Sequence, residues 1–316
     1  MKLDLVNDGL ILHQDQYIEC KLSEFNFSHF PPSTCPLNPK AHIQSATTDK
    51  VSQFAAPGVN YRALINKLSQ FLKRPGINHY RAAVQVFRYL HHTKSRGLLF
   101  SKNSSAPLII AVDADWGNCP NTRRSHTGSI LLLNNHVISW ESTKQCTVSL
   151  SSTEAEYKAL SDAGKEASWL INLYQEIFLD DSVTSATIQI DNRGAIDLAR
   201  SQVSQNGFCT KHMDLRLHFI RDLLKSKIIS LKYVLSASNP ADFLTKPVGK
   251  NNIIRALHPY TSSLLTLCAS RSIAQSMGAC QDVVMGPPTE PNYDNFIADA
   301  INQIGLDQNT AEALNP

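Results

Sequence analysis

The chain has 316 residues, 42% of them hydrophobic and 18% charged, and carries a net charge of +3. That length fits one large domain or two ordinary ones, and no apolar run is long enough to span a bilayer. The N-terminus meets Asp4 at once and lacks the apolar centre of a signal peptide, so an intracellular protein, cytoplasmic or nuclear and not secreted, is expected. Seven cysteines, an odd number with no C-x-x-C pair, argue against both a disulfide framework and a zinc ribbon. The charge is uneven. Six of the 27 acidic residues and none of the 30 basic ones lie beyond Arg271, a balance that suits a polyanion-binding body with an acidic appendage.

In chain order, Asn7-Asp8-Gly9 is a turn signal between two short apolar runs, and residues 15–25 have helical spacing. Pro31, Pro32, Pro36 and Pro39 open an irregular connector over about residues 28–58. Two amphipathic helices follow, over about residues 59–73, ended by Pro75-Gly76, and 78–92, ended by Gly97. The apolar period then changes. Residues 108–112, 128–133 and 137–140 read as strands, with Asn134-Asn135 as the tight turn between the last two. A long helix over about 152–179, a strand at 187–190, a short helix at 194–201, a basic helix at 210–227 and a strand at 228–234 complete the series. A final short helix is expected near Pro240 and another in the tail near 298–304. Three antiparallel strands, a helix, then strand and helix in alternation indicate an α/β domain: a mixed five-stranded sheet flanked by helices.

Four acidic residues fall at informative places on this scaffold. Asp113 ends the first of these strands and Asp191 the fourth, so neighbouring strands would bring both carboxylates to one sheet edge. Glu156 opens the core-facing stripe of the long helix, continued by Leu160, Ala163, Ala167, Leu170, Tyr174 and Ile177. A buried charge needs a partner, and a metal ion is a natural one. Ser151-Ser152-Thr153-Glu154 is a capping-box pattern, which gives Glu154 to the helix start and leaves Glu156 for chemistry. Asp242 lies in the first turn of the short helix after Pro240. Each acid alone has an ordinary explanation as a cap or turn residue. Converging, they suit two-metal phosphodiester cleavage, in which hard oxygen ligands hold two Mg²⁺ ions about 4 Å apart, with Mn²⁺ as a substitute.

Val112-Asp113-Ala114-Asp115-Trp116-Gly117, Ser139-Trp140-Glu141-Ser142-Thr143-Lys144-Gln145, and Ser151-Ser152-Thr153-Glu154-Ala155-Glu156-Tyr157 resemble successive motifs of the ribonuclease H of copia-type retrotransposon Pol polyproteins. Asp191-Asn192, Thr210-Lys211-His212-Met213-Asp214, and Asn239-Pro240-Ala241-Asp242 through Thr245-Lys246-Pro247 continue the series in family order. The resemblance covers about residues 98–250 and implies a ribonuclease H-like fold that cuts the RNA strand of RNA–DNA hybrids. It also implies that Asp113, Glu156, Asp191 and Asp242 are both the metal ligands and the catalytic set. Period-2 alternation cannot choose between Asp113 and Asp115, so that choice rests on the resemblance.

Residues 1–97 are similar to the end of the same polyprotein's reverse transcriptase and its connection, through Leu68-Ser69-Gln70-Phe71 and Val86-Phe87-Arg88-Tyr89-Leu90. A small α+β connection segment is therefore expected at 1–97, shortened near 65–66 where the family carries further residues. A ribonuclease H-like domain is expected at 98–250. A poorly ordered tail is expected at 251–316. The polymerase Asp-Asp motif is absent, so no polymerase activity is expected. Lys211, His218, Arg221 and Lys225 fall broadly along one side of the basic helix, and with Lys144 and Arg193 they are the candidate contacts to nucleic acid. A mixed duplex is read through its backbone and 2′-hydroxyls rather than its base edges. The expected partner is an RNA–DNA hybrid, with other parts of the polyprotein as associates and neither a membrane nor a small-molecule cofactor. The missing polymerase motif and shortened connection fit a second reading, an inactive retroelement remnant that at most binds nucleic acid.

Overall fold

The computed structural model describes residues 2–6, 9–37, 77–102, 106–119, 121–178, 183–201 and 211–263. The expected helices at 59–73 and 298–304 lie outside them. The chain divides into two compact units, Met1–Gln44 with Val84–Leu267 and Ser45–Ala83 with Cys268–Pro316. The described elements belong to the first unit, apart from the opening turns of one helix.

The first strands, β1 (Lys2–Val6) and β2 (Gly9–His13), form the expected antiparallel hairpin. Helix α1 (Asp15–Glu24) follows, and the sequence then runs without regular structure to residue 37. Helix α2 (Ile77–Thr93) holds that stretch through its second half. Gln85 Nε2 donates to the Cys35 carbonyl at 2.8 Å, Arg88 Nε donates to the Pro31 carbonyl at 2.6 Å, and Phe87 packs against Phe25 and Phe27.

Gly97 does not end this helix. It lies within a strand the sequence pattern did not signal, β3 (Arg96–Ser101), which pairs antiparallel with β2. A Cβ at Gly97 would stand 2.5 Å from Ile11 Cγ2 and 2.7 Å from the Leu12 carbonyl oxygen. The glycine therefore serves close strand approach rather than a helix cap.

The larger sheet follows. It comprises β4 (Leu108–Ala114), β5 (His126–Leu133), β6 (His136–Lys144), β7 (Ala186–Ile190) and β8 (Ile229–Tyr233), in the order β6-β5-β4-β7-β8. The β6-β5-β4 part is antiparallel and the β4-β7-β8 part parallel, which is the mixed five-stranded sheet expected from the element order. Asn134 and Asn135 both take positive φ, at 50° and 64°, as a two-residue hairpin turn requires.

Alternation divides the sheet into two faces. Leu108, Ile110, Val112, Ile188 and Ile190 pack against Tyr157, Leu160, Ala163 and Ala167 of α3 (Ser152–Phe178), and against α4 (Arg193–Arg200) and α5 (Lys211–Lys225). The buried stripe of α3 departs from expectation at its end. Ile171 rather than Leu170 is the buried position, and Ile177 is exposed.

On the other face Ile130, Leu132 and Val137 gather with Leu244 of α6 (Asp242–Thr245), and Leu98 and Tyr260 pack against them. Residues expected at the head of the tail form α7 (Lys250–Leu257) and β9 (Thr261–Ser263), and β9 pairs with β3 to complete a four-stranded sheet β1-β2-β3-β9. β3 thus runs across the expected 97/98 division. Among the described residues no helix is long and apolar enough to cross a membrane.

Candidate active site

The parallel pairing of β4 and β7 ends with Ala111 beside Gln189, and Asp113 and Asp191 each follow two residues further along their chains. Glu156 reaches the same place from the first turns of α3. Carboxylate oxygens of Asp113, Glu156 and Asp191 lie within 4.8 Å of one another. Asp113 and Glu156 are buried and Asp191 is half-buried. The long-range expectation for these three is met in space: strand ends and a helix start, remote in sequence, bring their acids together.

The electrostatics record the crowding. Burial, with the nearby charges of Asp113 and Asp191, pushes the Glu156 carboxyl up to about 9, against the Ala114 amide and Lys246, which favour its charged form. Burial also pushes Asp113 up to about 6, partly offset by a hydrogen bond from the Thr245 hydroxyl and by Lys246, while Asp191 and Asp242 add to the rise. Glu156 Oε2 is buried and accepts no hydrogen bond. A buried carboxylate oxygen without a donor, facing two further carboxylates, fits a hard divalent cation.

Asp115 does not compete for this role. It lies just past the end of β4 and is bound to His126, whose backbone N–H donates to Oδ1 at 2.6 Å and whose Nδ1 lies 3.1 Å from Oδ2. Asp242 sits at the start of α6, where Lys246 Nζ is 2.5 Å from its Oδ1. It is not part of the three-carboxylate group.

Side chains quoted above only as parts of motifs hold the site. Asn239, buried, donates through Nδ2 to the Val112 carbonyl at 2.7 Å and accepts from the Ala241 amide at 3.1 Å. Ser142 Oγ donates to the Leu244 carbonyl at 2.6 Å. Together with Thr245 on Asp113, these bonds clamp residues 239–245 over β4, β5 and β6. Gly128, paired with Asp113, makes the approach possible, since a Cβ there would lie 2.8 Å from Leu244 Cβ and 3.0 Å from the Ala241 carbonyl oxygen.

The start of α3 is fixed in a similar way. The Glu154 amide donates to Ser151 Oγ at 3.1 Å, and its carboxylate accepts from the Leu150 amide at 2.8 Å, a capping box displaced by one residue at its acidic end. Lys158 Nζ reaches Glu154 at 2.9 Å and Ser149 Oγ at 3.0 Å, while Gln145 Nε2 donates to the Ala155 carbonyl at 2.9 Å. Hydrogen bonding along the motif would have suggested these roles only with the strands already in register.

The candidate nucleic-acid contacts are dispersed. Lys144 Nζ donates to Cys119 Sγ at 3.1 Å. Burial opposes ionisation of that thiol, but bonds from Thr122 and Lys144 bring it down to about 6. Arg193 lies over the Tyr233 ring, 4.6 Å from its centroid. His218 is exposed, 3.8 Å from Asp214, and Lys225 is exposed in the last turn of α5. Arg221 turns inward from the expected basic side: its Nη2 donates to the Leu198 carbonyl at 3.2 Å and its Nε is buried. The side chain of Lys211 lies outside the described residues.

No family model matches the chain. It is 32% identical over 263 residues to the retrovirus-related Pol polyprotein from transposon TNT 1-94 of Nicotiana tabacum, covering 77% of this chain and 19% of that protein. It is 32% identical over 260 residues to the Pol polyprotein from transposon RE1 of Arabidopsis thaliana, covering 78% and 17%. The chain belongs to the copia-type retrotransposon Pol family. This Pol segment spans under a fifth of the length of either of these two relatives. A solved N-terminal RNase H domain from Mycobacterium tuberculosis matches 49% of this chain and 98% of its own at 15% identity, with a TM-score of 0.33.

Two expectations follow for the Pol segment. Glu156 and Asp113 retain protons in the metal-free fold that the unfolded chain releases near their ordinary values of 4.5 and 3.8. Stability is therefore greatest below about pH 4 as far as these groups are concerned, and is lost as pH rises towards 9. Melting temperatures of the EDTA-treated protein should fall across that range and recover on adding Mg²⁺ at pH 8 more than at pH 5; a melting temperature indifferent to both would contradict the crowding. Gly128→Ala should push residues 241–245 away from β5, lowering stability by about 1–3 kcal/mol in urea titrations and weakening divalent-ion binding.

Proposed function

We propose that this Pol segment is a ribonuclease H that hydrolyses the RNA strand of RNA–DNA hybrids, with Asp113, Glu156, Asp191 and Asp242 as its catalytic and metal-binding set. The observation that carries this reading is the three-carboxylate group, with the unpartnered buried oxygen of Glu156 within it. Two Mg²⁺ ions, or Mn²⁺ in their place, would supply Lewis-acid activation of water and stabilisation of the leaving oxygen.

The chain's own residues prepare that chemistry. Asp113 and Asp191 present carboxylates from adjacent strand ends, where backbone pairing fixes their spacing. Thr245 orients the Asp113 carboxylate, and Asn239 and Ser142 hold the segment that carries Thr245 and Asp242. The capped start of α3 sets the height of Glu156 against the sheet. Lys144, Arg193, Lys211, His218 and Lys225 are proposed to meet the hybrid's phosphates, with Arg221 contributing through the placement of α5 against α4. Contacts of this kind read backbone shape and charge, so no base preference is expected.

A labelled hybrid incubated with the purified full chain and Mg²⁺ tests the proposal. Cleavage confined to the RNA strand and lost with EDTA is expected. Asp191→Asn should abolish cleavage while hybrid binding, measured by fluorescence anisotropy, survives. Undiminished cleavage by that variant would remove Asp191 from the mechanism, and a wild-type chain that binds hybrid without cutting it would leave a nucleic-acid-binding remnant.

A further inference from the structure

Asp242 stands apart from the other three acids for a visible reason. Its Oδ1 is 2.5 Å from the ammonium of Lys246, one helical turn away. That ammonium belongs to the site as well as to the helix. Asp113 and Asp191 attract it along with Asp242, and these attractions and the bond to Asp242 raise its proton affinity against the effect of burial. Lys246 in turn lowers the carboxyls of both Asp113 and Glu156. One flexible cation thus offsets part of the charge of an acidic group that reaches it from β4, β7 and α6.

We propose that Lys246 is a built-in counter-cation that occupies Asp242 until a second divalent ion displaces its ammonium. This inference rests on the nuclease reading above and adds to it an order of loading: the three-carboxylate group takes an ion first, and Asp242 becomes a ligand only after Lys246 has swung away.

The strength of the pair suits a release of this kind. The Lys246 side chain is 45% exposed and that of Asp242 19% exposed. An ion pair open to water to that degree shifts an equilibrium by about fivefold or less. It is strong enough to hold Asp242 in the absence of metal and weak enough to yield to a doubly charged ion shared with other carboxylates. Lysine suits the task better than arginine, because its compact ammonium on a four-carbon stem can move into water without a change in the backbone. An ordinary i,i+4 helix pair would make only the contact to Asp242; what joins this one to the site is Thr245, next to Lys246 in the chain, whose hydroxyl donates to Asp113.

Mn²⁺ titration of the EDTA-stripped full chain, with free Mn²⁺ followed by electron paramagnetic resonance, tests the proposal. The wild type should take up two ions in separated steps. In Lys246→Met the second step should tighten by up to about fivefold and the first by distinctly less, so that the ratio of the two constants moves towards one. Lys246→Arg, which keeps the charge, should retain a wide separation. Equal tightening of both steps, or no change in either, would mean that Lys246 acts as background charge or as a helix partner only, and the proposal would fail while the metal site stood. Uptake of a single ion by both wild type and Lys246→Met would also overturn it. No uptake by either would defeat it together with the metal-dependent reading of the site. Thermal melts in EDTA give a second readout: Lys246→Met should lower the melting temperature through unrelieved repulsion among the acids, and Mn²⁺ should abolish the difference.

Discussion

Asp113, Glu156 and Asp191 bring three carboxyl groups within 4.8 Å of one another, two of them buried and one half-buried. Neither desolvation nor repulsion favours such a group, so the surrounding structure has to hold it there. It does so by rigid means. Two of the acids lie at the ends of adjacent parallel strands, and the third lies on a helix whose start is capped, tied by Gln145 to the end of the β5–β6 hairpin and by Lys158 to Ser149 in the loop that follows. Protons on Glu156 and Asp113 and the charge of Lys246 relieve what repulsion remains.

The same constraint explains which parts of the architecture could be read from the chain. Buried strands such as 108–112 and 187–190 announce themselves as short β-branched runs, and an acid directly after such a run is placed at a sheet edge with no further information. Asn134-Asn135 was readable because a two-residue hairpin demands positive φ and Asn tolerates it. Gly97 was misleading. After a helix, a glycine ordinarily marks a stop, and its actual reason is the closeness of β2, which belongs to a different part of the sequence. Strand β9 has only three residues, Thr261-Ser262-Ser263, and depends on β3 for its existence, so no local pattern could reveal it.

Within the site, identity was more accessible than placement. Asp113 and Asp115 could not be separated by periodicity, and the distinction is made by His126, eleven residues on, which engages the second and leaves the first to the acidic group. Arg221 looked like part of a phosphate-tracking side because spacing alone says nothing of where a long side chain finds an acceptor; here it is the C-terminal end of α4, at the carbonyl of the buried Leu198. Asn239, Ser142 and Thr245 carry the most positional information and the least chemical signal. Their amide and hydroxyl groups are unremarkable until the fold shows that each ends on the strands or turn that carry a carboxylate.

The small sheet β1-β2-β3-β9 bears on whether the chain can be divided at the expected 97/98 boundary. β3 is hydrogen-bonded to the N-terminal hairpin on one edge and to β9 on the other, and Leu98 packs with Tyr260 on the second face of the large sheet. Ser101 is further tied to the His136 ring of β6. A protease that severed the chain between Gly97 and Leu98 would therefore cut through a paired strand, and the two products would remain entangled through their hydrogen bonds rather than drift apart. Clean separation of the five-stranded domain calls for scission upstream of the hairpin or for prior melting of the sheet.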